Sequence, residues 1–247
     1  MEEINEVADL MKFVKNFSQL PSEMIFRGQN EDWALHPSLF RTSKGSNLRI
    51  ERELIKRLRL NKPILPSEID DFYDFLIFAQ QHSMPTRLLD WTYSPLIALW
   101  FACFNDDKDF SKDGIIYFTD STSLKDARTN ANIYNESVNK FKSHLDNISE
   151  LQILIPSPLF ERLNSQNGIF TVFPNLYNLD NLSVEKVLIP SSKKVSILKE
   201  LGKLKINEFT IFRDHDSLCR TIYWETYSNK ILHQDKEPPE FMDIIVS

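Results

Sequence analysis

Residues 95–104, PLIALWFACF, are apolar on every face, and Ser94–Pro95 at their start is a favoured N-cap and N1 pairing for a helix. A helix with no polar face cannot lie on a surface. It must be buried at the centre, with the other elements arranged around it. The longest apolar run, Leu96 to Phe104, is nine residues, far short of the roughly 20 that span a bilayer. The run therefore marks the core of a globular protein, and 247 residues suffice for one domain with a sizeable core.

Charge and glycine usage narrow the function classes. The net charge is −6, so broad electrostatic binding to nucleic acid or anionic lipid is not expected, although a local basic pocket is allowed. The five glycines, Gly28, Gly45, Gly114, Gly168 and Gly202, stand alone and far apart. Phosphate-cradling loops need clustered glycines, so a nucleotide would have to be held by side chains or a helix N-terminus. Cys103 and Cys219 supply neither a disulfide framework nor a metal motif. The acidic start MEEINEVADL lacks the features of a signal peptide, and a cytoplasmic location is expected.

Periodicity predicts a helix over residues 2–18, a strand at 23–26 ending at Arg27–Gly28, and a basic amphipathic helix over 47–61. Ser67 and Asp70 suggest a cap for a helix ending near His82, and Pro85 stops it. Strands are expected at 114–119, 150–155, 169–173 and 185–189, and 208–212 is read as extended. Short helices are expected at 157–165 and 192–201, and Asp214 caps another through about Lys230. Residues 121–148 read as a polar surface excursion and 231–247 as a tail. Strands and helices mix without regular alternation, which favours an α+β fold, a mixed β-sheet core with surrounding helices.

Two segments combine reactive groups with special local geometry. In Phe26–Arg27–Gly28–Gln29, an arginine at a strand end presents a rigid fork to phosphate or carboxylate, or closes a structural ion pair. In residues 80–94, QQHSMPTRLLDWTYS, the polar groups His82, Thr86, Arg87, Asp90, Thr92 and Ser94 interrupt an apolar stretch and lead to the N-terminus of the buried helix. That terminus suits an anion. Arg87 and Asp90 are placed to form a buried pair, either lining a pocket or pinning a loop. Elsewhere, His36, His144, His215 and His233 lack metal spacing, so no metal is expected. Glu161 and Arg162 are adjacent and point in different directions on a helix.

FRGQ, LHPSLFR (35–41) and AQQHSMPTRLLDWTYSPLIALWFACF (79–104) together resemble the FRG domain family, named for its Phe-Arg-Gly tripeptide. Later similarities, Arg162…Gln166–x–Gly168, Lys186–Val187–Leu188–Ile189–Pro190 and Thr210–Ile211–Phe212, extend the resemblance over about residues 22–222. One FRG-type domain spanning 1–247 is expected. The layout is also similar to ADP-ribosyltransferase folds, which implies NAD as substrate and a macromolecular acceptor. In that resemblance Arg27 holds the NAD phosphates or ribose, and Gln29, His82, Thr86, Arg87, Asp90, Thr92 and Ser94 build the pocket. Gln166 or Glu185 then serves catalysis, although Lys186 falls where the transferase pattern has its glutamate. The resemblance further implies a bacterial toxin or phage-defence role, in which proteins of this kind often act. The alternatives are a non-catalytic module that senses a nucleotide or partner, and a purely architectural core.

Overall fold

A computed structural model describes residues 2–17, 24–41, 47–61, 65–66, 69, 71–105, 107, 109–128, 148–158, 160–174 and 184–232. In chain order, the helices are α1 (Val7–Phe17), α2 (Asn47–Leu60), α3 (Phe72–Gln81), α4 (Pro95–Cys103), α5 (Glu161–Ser165), α6 (Lys194–Lys203), α7 (Glu208–Phe212) and α8 (His215–Leu232). The strands are β1 (Met24–Gln29), β2 (Leu88–Thr92), β3 (Gly114–Asp120), β4 (Lys125–Asp126), β5 (Gln152–Leu154), β6 (Gly168–Val172) and β7 (Glu185–Ile189). They form one sheet in the order β4-β5-β6-β2-β1-β3-β7, antiparallel throughout except for the β4–β5 pair. The α+β class with a mixed sheet agrees with the sequence pattern.

Strand alternation sorts the core into two faces. On one face, Phe26, Ile116, Phe118 and Val187 pack with Leu10, Phe13, Ala98, Trp100 and Ile197, from α1, α4 and α6. Further along that face, Leu88, Phe170 and Val172 pack with Ile55, Phe72, Leu76 and Leu163, from α2, α3 and α5. On the other face, Ile25, Leu89, Trp91, Ile115 and Ile169 pack with Leu35 and Phe173. Two helical groups thus share one face of the sheet, and they meet over the boundary between β2 and β1.

The apolar run is indeed central. The Ser94 hydroxyl accepts the Ile97 N–H, Pro95 occupies the first turn, and Ala98, Leu99, Ala102 and Cys103 are fully buried. A Cβ on Gly28 would lie 1.8 Å from the Ala98 carbonyl oxygen, so only glycine lets β1 approach α4 this closely.

Several expectations are corrected. Residues 88–92 form a central strand, not a loop: β2 is paired along both edges and buried on both faces except at Asp90, so its residues do not alternate. Arg27 lies inside β1, which continues to Gln29, rather than at a strand end. Residues 208–212 are helical, not extended: Asn207 and Thr210 form a reciprocal capping box that outweighs the strand-like composition. Ser67 and Asp70 lie outside the described residues, and α3 is capped by Asp71, whose side chain accepts the Asp74 N–H. The first residues pair with β7 through Ile4 and Leu188 before α1 begins at Val7. The short helix after Ser157 starts only at Glu161. His144, His233, the tail 231–247 except the end of α8, and residues 129–147 of the polar excursion are also outside the described residues. No helix among the described residues is long and apolar enough to cross a membrane.

Candidate functional site

Between the two helical groups lies a cleft of about 380 Å³. Its floor is the junction of β1 and β2, where the only paired position is Phe26 opposite Thr92. One wall carries Gln80, Gln81 and Ser83 from the end of α3 and the turn after it. The other carries Arg162, Leu163 and Gln166 from α5 and its cap, with Phe101 of α4 and Phe212 of α7 beside them.

Where β1 and β2 part, Arg27 closes the gap. By alternation it belongs with Ile25 and Gln29, yet its guanidinium reaches across to β2. Nη1 donates to the Asp90 main-chain oxygen at 2.8 Å and lies 3.5 Å from the Asp90 carboxylate, while Nε donates to Gln29 at 3.2 Å. Gln29 in turn donates to the Trp33 carbonyl. Burial pulls the Arg27 guanidinium below its ordinary value, and Asp90 opposes that shift.

Asp90 is the charged centre of the cleft. Its side chain is 51% exposed, and Gln80 Nε2 donates to its carboxylate at 3.0 Å. The Gln80 oxygen accepts the Thr86 hydroxyl at 2.6 Å, and that hydroxyl accepts the Leu88 N–H. Thr86 is thus buried behind Gln80 and orients Asp90 at one remove. Thr92 lines the cleft, but its hydroxyl is committed, donating to the Gln166 carbonyl at 2.6 Å and accepting the Ser94 N–H at 3.0 Å.

The structure brings together Arg27, Asp90, Thr92 and Gln166 of the residues singled out in the sequence, with Gln29 and Thr86 as supports. Ser94 serves as the α4 cap, and His82 is exposed, its ring 4.3 Å from that of Phe78. Neither lines the cleft. Arg87 is no part of it: the side chain is buried and pairs with Glu51 at 2.6 Å, so the expected Arg87–Asp90 pair does not form. Glu185 is exposed at the start of edge strand β7, opposite Phe118, and Lys186 pairs with Asp32 at 2.7 Å.

The sequence reading missed Arg162 as a site residue, together with Phe101 and Phe212. The Arg162 guanidinium lies over the Phe212 ring, 4.4 Å from its centroid, and burial pulls it below its ordinary value against the charges of Asp214 and Asp90. Its i,i+4 relation to Gln166 was a usable signal, because both then face one side of a helical turn. No group of three or more His, Cys, Asp or Glu side chains among the described residues is arranged to hold a metal ion.

An arginine-braced aspartate on the floor of a cleft lined also by Phe26, Trp91, Phe101 and Phe212 is the centre of the candidate site. Residues 22–111 match the family model of the FRG domain, and the chain carries that domain. The match covers the Arg27, Gln80, Asp90 and Phe101 side of the cleft, whereas Arg162, Gln166 and Phe212 lie beyond it. No curated protein and no solved structure matches the chain.

Proposed function

We propose that this FRG-domain protein binds a nucleotide of the NAD type in the cleft and uses it as an ADP-ribosyltransferase-like enzyme. The observation that carries the reading is Asp90, a solvent-accessible carboxylate held in place by Arg27 and Gln80 among aromatic rings. The volume falls within the roughly 300–1,000 Å³ of small-molecule sites, and the rings offer stacking surface for a planar base. In such a transfer the bond between nicotinamide nitrogen and ribose C1′ breaks, and nicotinamide leaves with the bonding pair. An acceptor nucleophile then bonds to C1′ and releases its proton. The positive charge that develops on the ribose calls for a nearby anion. Asp90 suits that role and Glu185, exposed on the edge strand, does not; Gln166 adds a polar group on the facing wall.

Incubation with nicotinamide-labelled NAD tests this directly. Release of nicotinamide that falls at least about 100-fold in Asp90→Asn, with ADP-ribose binding retained, is the expected result. A second reading, a sensor that binds without turnover, draws support from the engagement of the Asp90 carboxylate by Gln80. Calorimetric binding without nicotinamide release selects the sensor. No binding of NAD or ADP-ribose and no release sinks both readings.

A further inference from the structure

The two arginines of the cleft are not equivalent. Arg27 is committed to three acceptors within the protein: the Asp90 carbonyl, the Asp90 carboxylate and the Gln29 amide oxygen. Arg162 has no hydrogen-bond or ion-pair partner for its guanidinium among the described residues. It is steadied only by stacking on Phe212, which leaves the edge of the fork and all of its N–H donors available.

Two further groups on the same cleft are also uncommitted. The Gln81 Nε2 is buried with no hydrogen-bond partner, and a buried amide without an acceptor costs free energy unless a ligand supplies one. The Gln166 side-chain amide has no partner among the described residues, since only its main-chain carbonyl is used by Thr92. The acids facing Arg162 are already engaged: Asp90 by Arg27 and Gln80, and Asp214 by the Ser217 N–H at 2.6 Å. A planar cation, a buried orphan donor and a second free amide therefore line one cleft, while the nearby carboxylates accept from other donors and leave the Arg162 fork unpaired among the described residues.

We infer that Arg162, Gln81 and Gln166 form the anion-binding subsite of the cleft, which takes a phosphoryl group, while Arg27 is a positioning residue that braces Asp90. The assignment of that phosphoryl group to a nucleotide rests on the functional reading above; the anion subsite itself does not.

The experiment uses inorganic pyrophosphate and ADP-ribose as probes, with thermal shift and calorimetry on the full chain. Both probes raise the melting temperature of the wild type. Arg162→Ala weakens both by at least about tenfold, the size of one charge-assisted bidentate contact. Arg162→Lys, which keeps the charge but loses the fork, falls between. Arg162→Ala melts, without ligand, close to the wild type, because no hydrogen bond of the fold is removed. Arg27→Ala, which reaches the subsite only through the charge of Asp90, weakens pyrophosphate binding less than Arg162→Ala does. If neither probe binds the wild type, or if both bind Arg162→Ala as tightly, the subsite assignment is overturned. If pyrophosphate binds through Arg162 and ADP-ribose does not bind, the subsite stands and the nucleotide reading falls.

Discussion

Arg87 and Glu51 show at the residue scale how a charged side chain can be required without touching a ligand. Both side chains are 1% exposed, and the guanidinium donates to both carboxylate oxygens at 2.6–3.0 Å, while Arg87 also donates to the Phe173 carbonyl. The pair ties α2 to central strand β2. Removing one member leaves the other charge buried and alone, which costs more than the pair itself contributes. Arg87→Met should therefore destabilise by about 3–5 kcal/mol in denaturant titration. Replacing Glu51 by Leu in the same chain should recover most of that loss. Recovery stays short of complete because Glu51 also accepts the Arg87 main-chain N–H at 3.3 Å. A double variant as unstable as the single one would contradict this account. Thr92 makes the complementary point: it faces the cleft, yet its hydroxyl is spent joining the end of β2 to the turn before β6.

Elements are placed by close approach as much as by burial. A Cβ on Gly28 would meet three main-chain atoms of α4 within 2.8 Å, and main chain cannot step aside as a side-chain tip can. Gly28→Ala must push α4 off β1, and a loss of about 3 kcal/mol is expected in a thermal or denaturant melt. Gly202, in α6, is the internal comparison: nothing lies within 4 Å of the added Cβ. Gly202→Ala should stabilise by about 0.5–1 kcal/mol through lower unfolded-state entropy. Equal effects of the two substitutions would refute the close-approach argument. At the α7 cap, Asn207 accepts the Thr210 N–H at 3.0 Å, and Asn207→Ala should cost about 1 kcal/mol. Signals of this local kind determine what could be read from sequence. The α4 start was legible because Ser94–Pro95 is a local cap, and β3 because GIIYFT is a compact apolar run. Strand β2 was not, since burial on both faces erases alternation and leaves Leu–Leu–Asp–Trp–Thr looking like a loop. The site divides the same way: Arg27, Asp90 and Thr92 stand in recognisable strings, whereas Arg162 and Phe212 become site residues only when α5 and α7 fold against α4.

At the scale of the molecule, several buried groups share a preference for staying neutral, and this sets the alkaline limit of stability. Burial pushes the Cys103 thiol up from 9.0 to about 12. Burial also raises the Tyr73 phenol above its ordinary 10.0, and it raises Tyr117, whose hydroxyl additionally donates to Asp32 at 2.6 Å. In the unfolded chain these groups ionise at their ordinary values while the folded chain keeps their protons. The folded state therefore binds more protons, and stability falls as pH rises from about 9. Lys194 acts in the opposite sense: burial lowers it, so its contribution to stability increases with pH until the unfolded amine has lost its proton near 10.5. Above that point Lys194 no longer offsets the thiol and phenols. Denaturant titrations at successive pH values should show a shallow change from pH 9 to 10.5 and a steep fall beyond it. Cys103 alone supplies about 1.4 kcal/mol per pH unit of that slope between its unfolded and folded values. Cys103→Ala lowers the stability at neutral pH, because it opens space beneath α4, but it should flatten the alkaline slope by that amount. A slope left unchanged by Cys103→Ala would mean that the thiol does not carry the proton the geometry assigns to it.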